Sequence, residues 1–128
     1  MTPAFQGETF SDDLYQIAVT IGSGTAESGA VFTQGMVLVG VIMPAVWTAA
    51  NLGIKAGLAA GSLQAAYDNA GGLLQAVVAA SAFVALPSDS TVFAPWISVT
   101  SINTDKSGSA VNQGAARSIT LLFRRYLS

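Results

Sequence analysis

The acidic side chains are the first place to look for chemistry, and the chain holds seven in 128 residues. Asp12-Asp13 is an adjacent pair. Neighbours in a strand point to opposite faces, so a solvated pair ahead of the first strand is favoured over an acid/base pair or half a metal site. Asp68-Asn69 precedes Gly71 and could offer oxygens to calcium. No acidic ligand follows at EF-hand spacing, so a turn is favoured. A carboxylate-only hydrolase needs two carboxylates about 5–10 Å apart, and these acids are scattered without a supporting pattern. Gly22-Ser23-Gly24 resembles a phosphate loop only superficially, lacking the Lys-Ser/Thr pair and a following helix. There is no histidine and no cysteine. That removes the commonest general base, the commonest transition-metal ligand, thiolate chemistry and disulfides. The serines have no histidine or Ser-x-x-Lys partner to activate them. The chain is therefore expected not to be an enzyme and to carry no cofactor or metal.

The remaining polar and aromatic candidates suit contact better than catalysis. Lys55 is a lone lysine on a strand, where exposure is the default. Arg117, Arg124 and Arg125 form a possible positive strip along the last strand, and arginine suits interface ion pairs better than simple anion binding here. Trp47 and Trp96 could stack on a sugar, but core or interface packing is the favoured role. Phe5 and Phe10 are unusual in an otherwise polar N-terminal stretch. They pack either on their own domain or, as part of an arm, on a neighbour.

Composition points the same way. Only 9% of the residues are charged, against about 25% in a typical globular domain. Hydrophobic residues make up 52% and the mean hydropathy is +0.55. So few charges cannot cover the surface of a small domain, so a large part of it is expected to be hidden against other subunits. The competing reading is a neutral, Ala/Gly-rich surface with no partner. The net charge of −2, with no basic cluster beyond Arg124-Arg125, argues against nucleic acid. A membrane-spanning helix needs about 20 apolar residues. The run from Met36 to Ala50 is shorter and is divided by Pro44; the run from Leu73 to Leu86 contains Gln75 and Ser81. No membrane partner is expected. Met1 to Asp13 lacks a basic n-region and an apolar h-region, so a signal peptide is not expected.

These residues must be positioned by strands. We expect an extended arm over 1–13 and a single β-sandwich domain over 14–128, a length sufficient for a self-supporting core. Tyr15, Ile17, Val19 and Ile21 alternate with Gln16, Ala18 and Thr20, which predicts a strand with one wet face. Ala30 to Thr33 reads as a short strand. Val37 to Met43 is apolar on both faces and reads as a buried strand ended by Pro44. Ala45 to Asn51 has room for one helical turn, with Trp47 as an apolar plug. Gly53 to Leu58, Ser62 to Tyr67, Leu73 to Ala80, Phe83 to Leu86, Ile97 to Ile102 and Arg117 to Leu127 read as further strands. Asp68 to Gly72 is a turn, Pro87 to Ser90 a loop, Thr91 to Trp96 a bent turn, and Asp105 to Gly114 a long polar loop. Ala56 to Ala85 is alanine-rich, so a helical pair broken at Gly71-Gly72 competes there. The spacing of short strands favours a sandwich.

One block has a familiar order. Gly40-Val41-Ile42-Met43-Pro44-Ala45-Val46-Trp47-Thr48-Ala49-Ala50-Asn51-Leu52 resembles the G-I-x-x-P-A-x-W-T-A-A-x-L block of small tailed-bacteriophage virion proteins. Tyr67-Asp68-Asn69-Ala70-Gly71 matches the Tyr-Asp-x-x-Gly turn that follows it in these proteins. Val84-Ala85-Leu86-Pro87 and Phe93-Ala94 match the next segment. Ser101 and then Val111-Asn112-Gln113-Gly114-Ala115-Ala116-Arg117-Ser118-Ile119-Thr120-Leu121 match its closing strand. The resemblance runs from about Ala30 to the C-terminus. Similar proteins often carry a Ser-x-Asp-Gly turn after the tryptophan; here that region is Ala56-Gly57-Leu58-Ala59-Ala60-Gly61, which weakens a glycan-binding reading.

The resemblance implies an all-β, antiparallel, jelly-roll-like sandwich acting as a capsid decoration, or cement, protein. It implies a homotrimer on the outer surface of the virion capsid, bound to the major capsid protein after synthesis in the host cytoplasm. Interface candidates are then Phe5, Phe10, Trp47, Trp96, Asn112, Gln113, Arg117, Arg124 and Arg125, with the arm and the Asp105 to Gly114 loop reaching neighbours. The rival from another class is a jelly-roll module of a tail or head fibre that binds host-surface glycan.

Overall fold

A computed structural model describes residues 14–86 and 94–125. Among them there are nine strands and no helix. The strands are β1 (Leu14–Ile21), β2 (Val31–Phe32), β3 (Met36–Ile42), β4 (Asn51–Gly57), β5 (Gln64–Ala65), β6 (Gln75–Ala76), β7 (Phe83–Ala85), β8 (Trp96–Ile102) and β9 (Arg117–Arg125). The helical alternative for Ala56 to Ala85 is thereby set aside. The candidates Phe5 and Phe10, and the arm that holds them, lie outside the described residues.

Two antiparallel sheets form. One has the order β1-β9-β3-β7 and the other β2-β8-β4-β5, with β6 sharing the β5 edge of β4. When β5 and β6 count as one position, the chain pairs first with last (β1·β9), second with second-last (β2·β8), third with third-last (β3·β7), and the two middle strands with each other. That nested winding is the jelly roll. The connections to β3 and to β8 then lay β3 beside β9 and β4 beside β8, closing each sheet.

Alternation explains which faces meet. Ile119, Leu121 and Phe123 of β9 are wholly buried, while Ser118 and Arg124 are exposed. In register they meet Val19, Ile17 and Tyr15 of β1. From the other sheet Leu52, Ile97 and Val99 complete the core. β3 is buried along most of its length, as its two apolar faces predict. Its register shifts between Leu38 and Gly40, and this bulge lets Leu38 and Val41 both face the core.

The stretch before β4 departs from expectation. Ala45 to Ala50 forms no helical turn, and Asn51 already opens β4. The reason is competition for the backbone: Gln113 takes both the N–H and the carbonyl of Thr48, and the Trp47 indole N–H takes the Ala50 carbonyl at 3.1 Å. β6 and β7 are shorter than the apolar runs that contain them, because the chain leaves one sheet and crosses to the other within Leu73 to Leu86.

A tight turn links β2 to β3 and so carries the chain between sheets. The Met36 N–H donates to the Thr33 carbonyl at 2.9 Å, and the central residues Gln34 and Gly35 sit at φ 55° and 78°. That region costs a non-glycine residue roughly 1 kcal/mol, and asparagine tolerates it better than glutamine. Gln34→Asn is therefore expected to stabilise by about 0.5 kcal/mol, seen as a higher urea midpoint at unchanged slope.

Candidate functional site

Three surfaces hold the candidate residues, and one of them is a scaffold and not a site. At one end of the sandwich, Gln113 is 0% exposed. Its Oε1 accepts from the Thr48 N–H at 2.9 Å and from Arg117 Nε at 3.1 Å. Its Nε2 donates to the Thr48 carbonyl at 3.1 Å and to Ser101 Oγ at 2.7 Å. Its own backbone bonds Thr25 and Gly24, at 2.9 and 2.8 Å. One residue thus joins the Gly22–Thr25 turn through its backbone and the Trp47 loop, β8 and β9 through its side chain. Arg117 completes the knot, its second guanidinium nitrogen donating to Thr48 Oγ1 at 3.2 Å. Gln113 and Arg117 were interface candidates. Gln113 has no surface left for a neighbour, while half-buried Arg117 uses two of its five N–H donors within the fold. Asn112, beside them, is exposed.

The polar loop after β8 is tied at its base and leaves its tip, Thr104 to Ser107, exposed. Asn103 donates its N–H to the Ser109 carbonyl at 2.8 Å, and Val111 donates to Ser101 at 2.8 Å. At its tip the Ser107 hydroxyl and N–H hold the Asp105 carboxyl below its ordinary pKa. Asp68 is likewise a turn former: its Oδ1 accepts from Ala70 and Gly72 at 2.9 and 2.8 Å. Among the described residues no group of three acidic, histidine or cysteine side chains is placed to hold a metal ion. No helix among them is long and apolar enough to cross a membrane.

The second surface is the outer face of the β2-β8-β4-β5 sheet. Phe32 and Trp96 pair in register with ring centroids 5.2 Å apart and a 43° tilt. One row along, Lys55 does not stand alone: its Nζ meets Glu27 Oε1 at 2.8 Å, and Ser98 Oγ donates to Glu27 Oε2 at 3.1 Å. Beyond them lies a slot of about 220 Å³ floored by Gly53 and Thr100 and walled by Leu73, Ile102 and Gly108. Any Cβ at position 53 would come within 2.6 Å of Thr100 Oγ1, so glycine keeps the slot open. Trp47 is elsewhere, half-buried against the core with its N–H spent, and offers no platform.

The third surface is the outer face of β1-β9-β3-β7. Register places Gln16, Leu122, Gly40 and Ala85 in one row and Ala18, Thr120, Ile42 and Phe83 in the next. Leu14, Arg124 and Val37 make a third. Arg124 is the one charged residue in these rows. Arg125 turns to the other side of the strand, its guanidinium 5.5 Å from the centre of the Tyr15 ring, a cation–π geometry. Sequence reasoning named both arginines but missed Ile42 and Phe83, whose exposure follows from β7 being short and outermost. No protein-family model, no curated protein and no solved structure matches the chain.

Proposed function

We propose that the chain is a structural virion protein, a capsid decoration or cement protein that binds the assembled head of a tailed bacteriophage and strengthens contacts between capsomers. The observation that carries this reading is the outer face of β1-β9-β3-β7, where three rows of side chains hold Leu14, Ile42, Phe83 and two alanines, Ala18 and Ala85, with Arg124 as the single charge. Such a face suits broad contact with protein and offers nothing for catalysis. The sequence block from Gly40 to Leu52 and its downstream matches support the same reading. The major capsid protein is the proposed partner, with self-association into a homotrimer at a threefold position. Binding only the assembled shell would stabilise it by mass action, with no chemical step.

The test is co-sedimentation with purified heads that lack the decoration layer. Retention on heads, none on unassembled capsid protein, and a raised head melting temperature are expected. A protein that stays in the supernatant sinks the proposal.

The second reading, a fibre module binding glycan, draws on the Phe32–Trp96 pair and the adjoining Glu27–Lys55 pair on the other sheet. It predicts oligosaccharide-induced quenching of tryptophan fluorescence that Trp96→Ala abolishes.

A further inference from the structure

The edge of the β1-β9-β3-β7 sheet is open in a way that matches a second copy of itself. β7 is the outermost strand of that sheet among the described residues. Val84 lies opposite Val41, and the flanking bonds run from Met43 N–H to Ala82 and from Leu86 N–H to Val39. Hydrogen bonding alternates along an antiparallel pair, so residues 82, 84 and 86 face β3. The N–H and carbonyl groups of Phe83 and Ala85 then point away from the sheet. Natural edge strands are usually guarded by lysine, proline or a bulge. Here the run from Leu73 to Leu86 contains no charged residue at all. Phe83 is 67% exposed and Val77, on the neighbouring edge, 74%. Beside them a cleft of about 440 Å³ opens between the sheets, lined mostly by apolar side chains such as Val77, Val84, Leu86 and Leu38, with Asp68 and Gln75 on its wall.

We propose that two copies pair through β7 across a twofold axis at Val84. A twofold axis normal to the sheet makes the two edges antiparallel automatically. Phe83 of one copy then faces Ala85 of the other, and the reverse, giving four backbone hydrogen bonds from groups that have no partner among the described residues. The side chains fit: each Phe83 ring lies over the small Ala85 of the partner copy on the outer face. The two Val84 side chains meet over the mouths of the clefts. Charge selects this occupant. A twofold contact brings each near-axis charge against its own copy; β7 carries none, and the one carboxylate on the cleft wall, Asp68, is held by the N–H groups of Ala70 and Gly72 in its own turn. The result is one continuous sheet of eight strands. This contact does not depend on the decoration reading: it runs along the edge of the same sheet, and of the broad face invoked there it takes up only the rim at Phe83 and Ala85.

The test compares solution mass by light scattering for the wild type and Ala85→Pro. Proline removes the outward N–H of residue 85 and leaves the β3–β7 bonds intact. The wild-type mass is expected to be at least twice that of the variant, since each pairing edge joins a further copy. Ala85→Lys, which keeps the N–H but sets like charges near the axis, should do the same. It also serves if the proline variant loses its far-ultraviolet β signal. Equal masses for the wild type and a folded variant, at the highest concentration the protein tolerates, overturn the proposal. The readout is solution mass in the absence of heads, so a failure here leaves the co-sedimentation of the wild type with heads untouched.

Discussion

Gln113→Leu is expected to cost about 3–4 kcal/mol, and to be worse than Gln113→Ala despite the better volume match. The glutamine amide satisfies four partners: the N–H and carbonyl of Thr48, Ser101 Oγ and Arg117 Nε. Removing it orphans a backbone donor and a backbone acceptor, each worth about 1–3 kcal/mol when left unpaired and buried. Leucine fills the space and keeps water out, so that penalty stands. Alanine leaves a polar-lined void large enough for water to replace some of the lost bonds. If Gln113 were mainly a packing residue, the order would reverse. Guanidinium unfolding of both variants reads the difference directly, with a melting temperature for the leucine variant about 10 °C or more below wild type. A leucine variant as stable as the alanine one would show that the loops at this end hold together without the amide.

Gln113 also marks where the sequence stops being readable. It sits in a polar loop with no periodicity, and neither its burial nor its four partners can be seen from its neighbours. Its nearest partner in sequence, Arg117, is four residues away; Thr48 is 65 away. Strand identity was far more legible. The faces of β1 and β9 are written as strict alternation, and their ladder of eight residue pairs follows that pattern without a break. β3 was recognisable because both of its faces are apolar, which a strand between two others permits. What alternation cannot give is the partner: nothing local in Leu121 says that it lies opposite both Ile17 and Val41. The strand order came within reach only through the resemblance of the Gly40 to Leu52 block. The alanine-rich middle of the chain was ambiguous for a physical reason. Its strands are two or three residues long, too short for a period to register, and glycines at 57, 61, 71 and 72 were the main sign against helix.

The candidate surfaces divided in the same way. Trp96 was named from its type alone, yet its partner Phe32 became visible only through the β2–β8 pairing. Lys55 looked solitary because Glu27 is 28 residues away. Phe83 read only as the first residue of a further apolar strand. Its exposure depends on its strand ending the sheet, a property of topology and not of composition.

Phe123→Ala is expected to cost about 3–5 kcal/mol, the largest single truncation penalty in the core. Phe123 is wholly buried on β9, between Tyr15 of β1 and Leu38 of β3. It is the largest side chain with no exposure at all. A domain of this size has roughly 5–15 kcal/mol in total, so the variant would lose a large share of its stability. Phe83→Ala, the same chemical change at an exposed edge, should shift stability by less than about 1 kcal/mol. Chemical denaturation of the two variants side by side separates burial from residue type. The size of the Phe123 effect also reports on the cleft. Leu38 lies opposite Phe123 and lines the opening between the sheets. If truncation cost only about 1 kcal/mol, the packing behind Leu38 would have to be loose enough to close over the lost ring. The cleft would then be an extension of a poorly filled core. A cost near the top of the range means that the core behind Leu38 is tightly packed. The opening beside β7 is then a defined feature of the edge, bounded on its inner side by side chains that do not move.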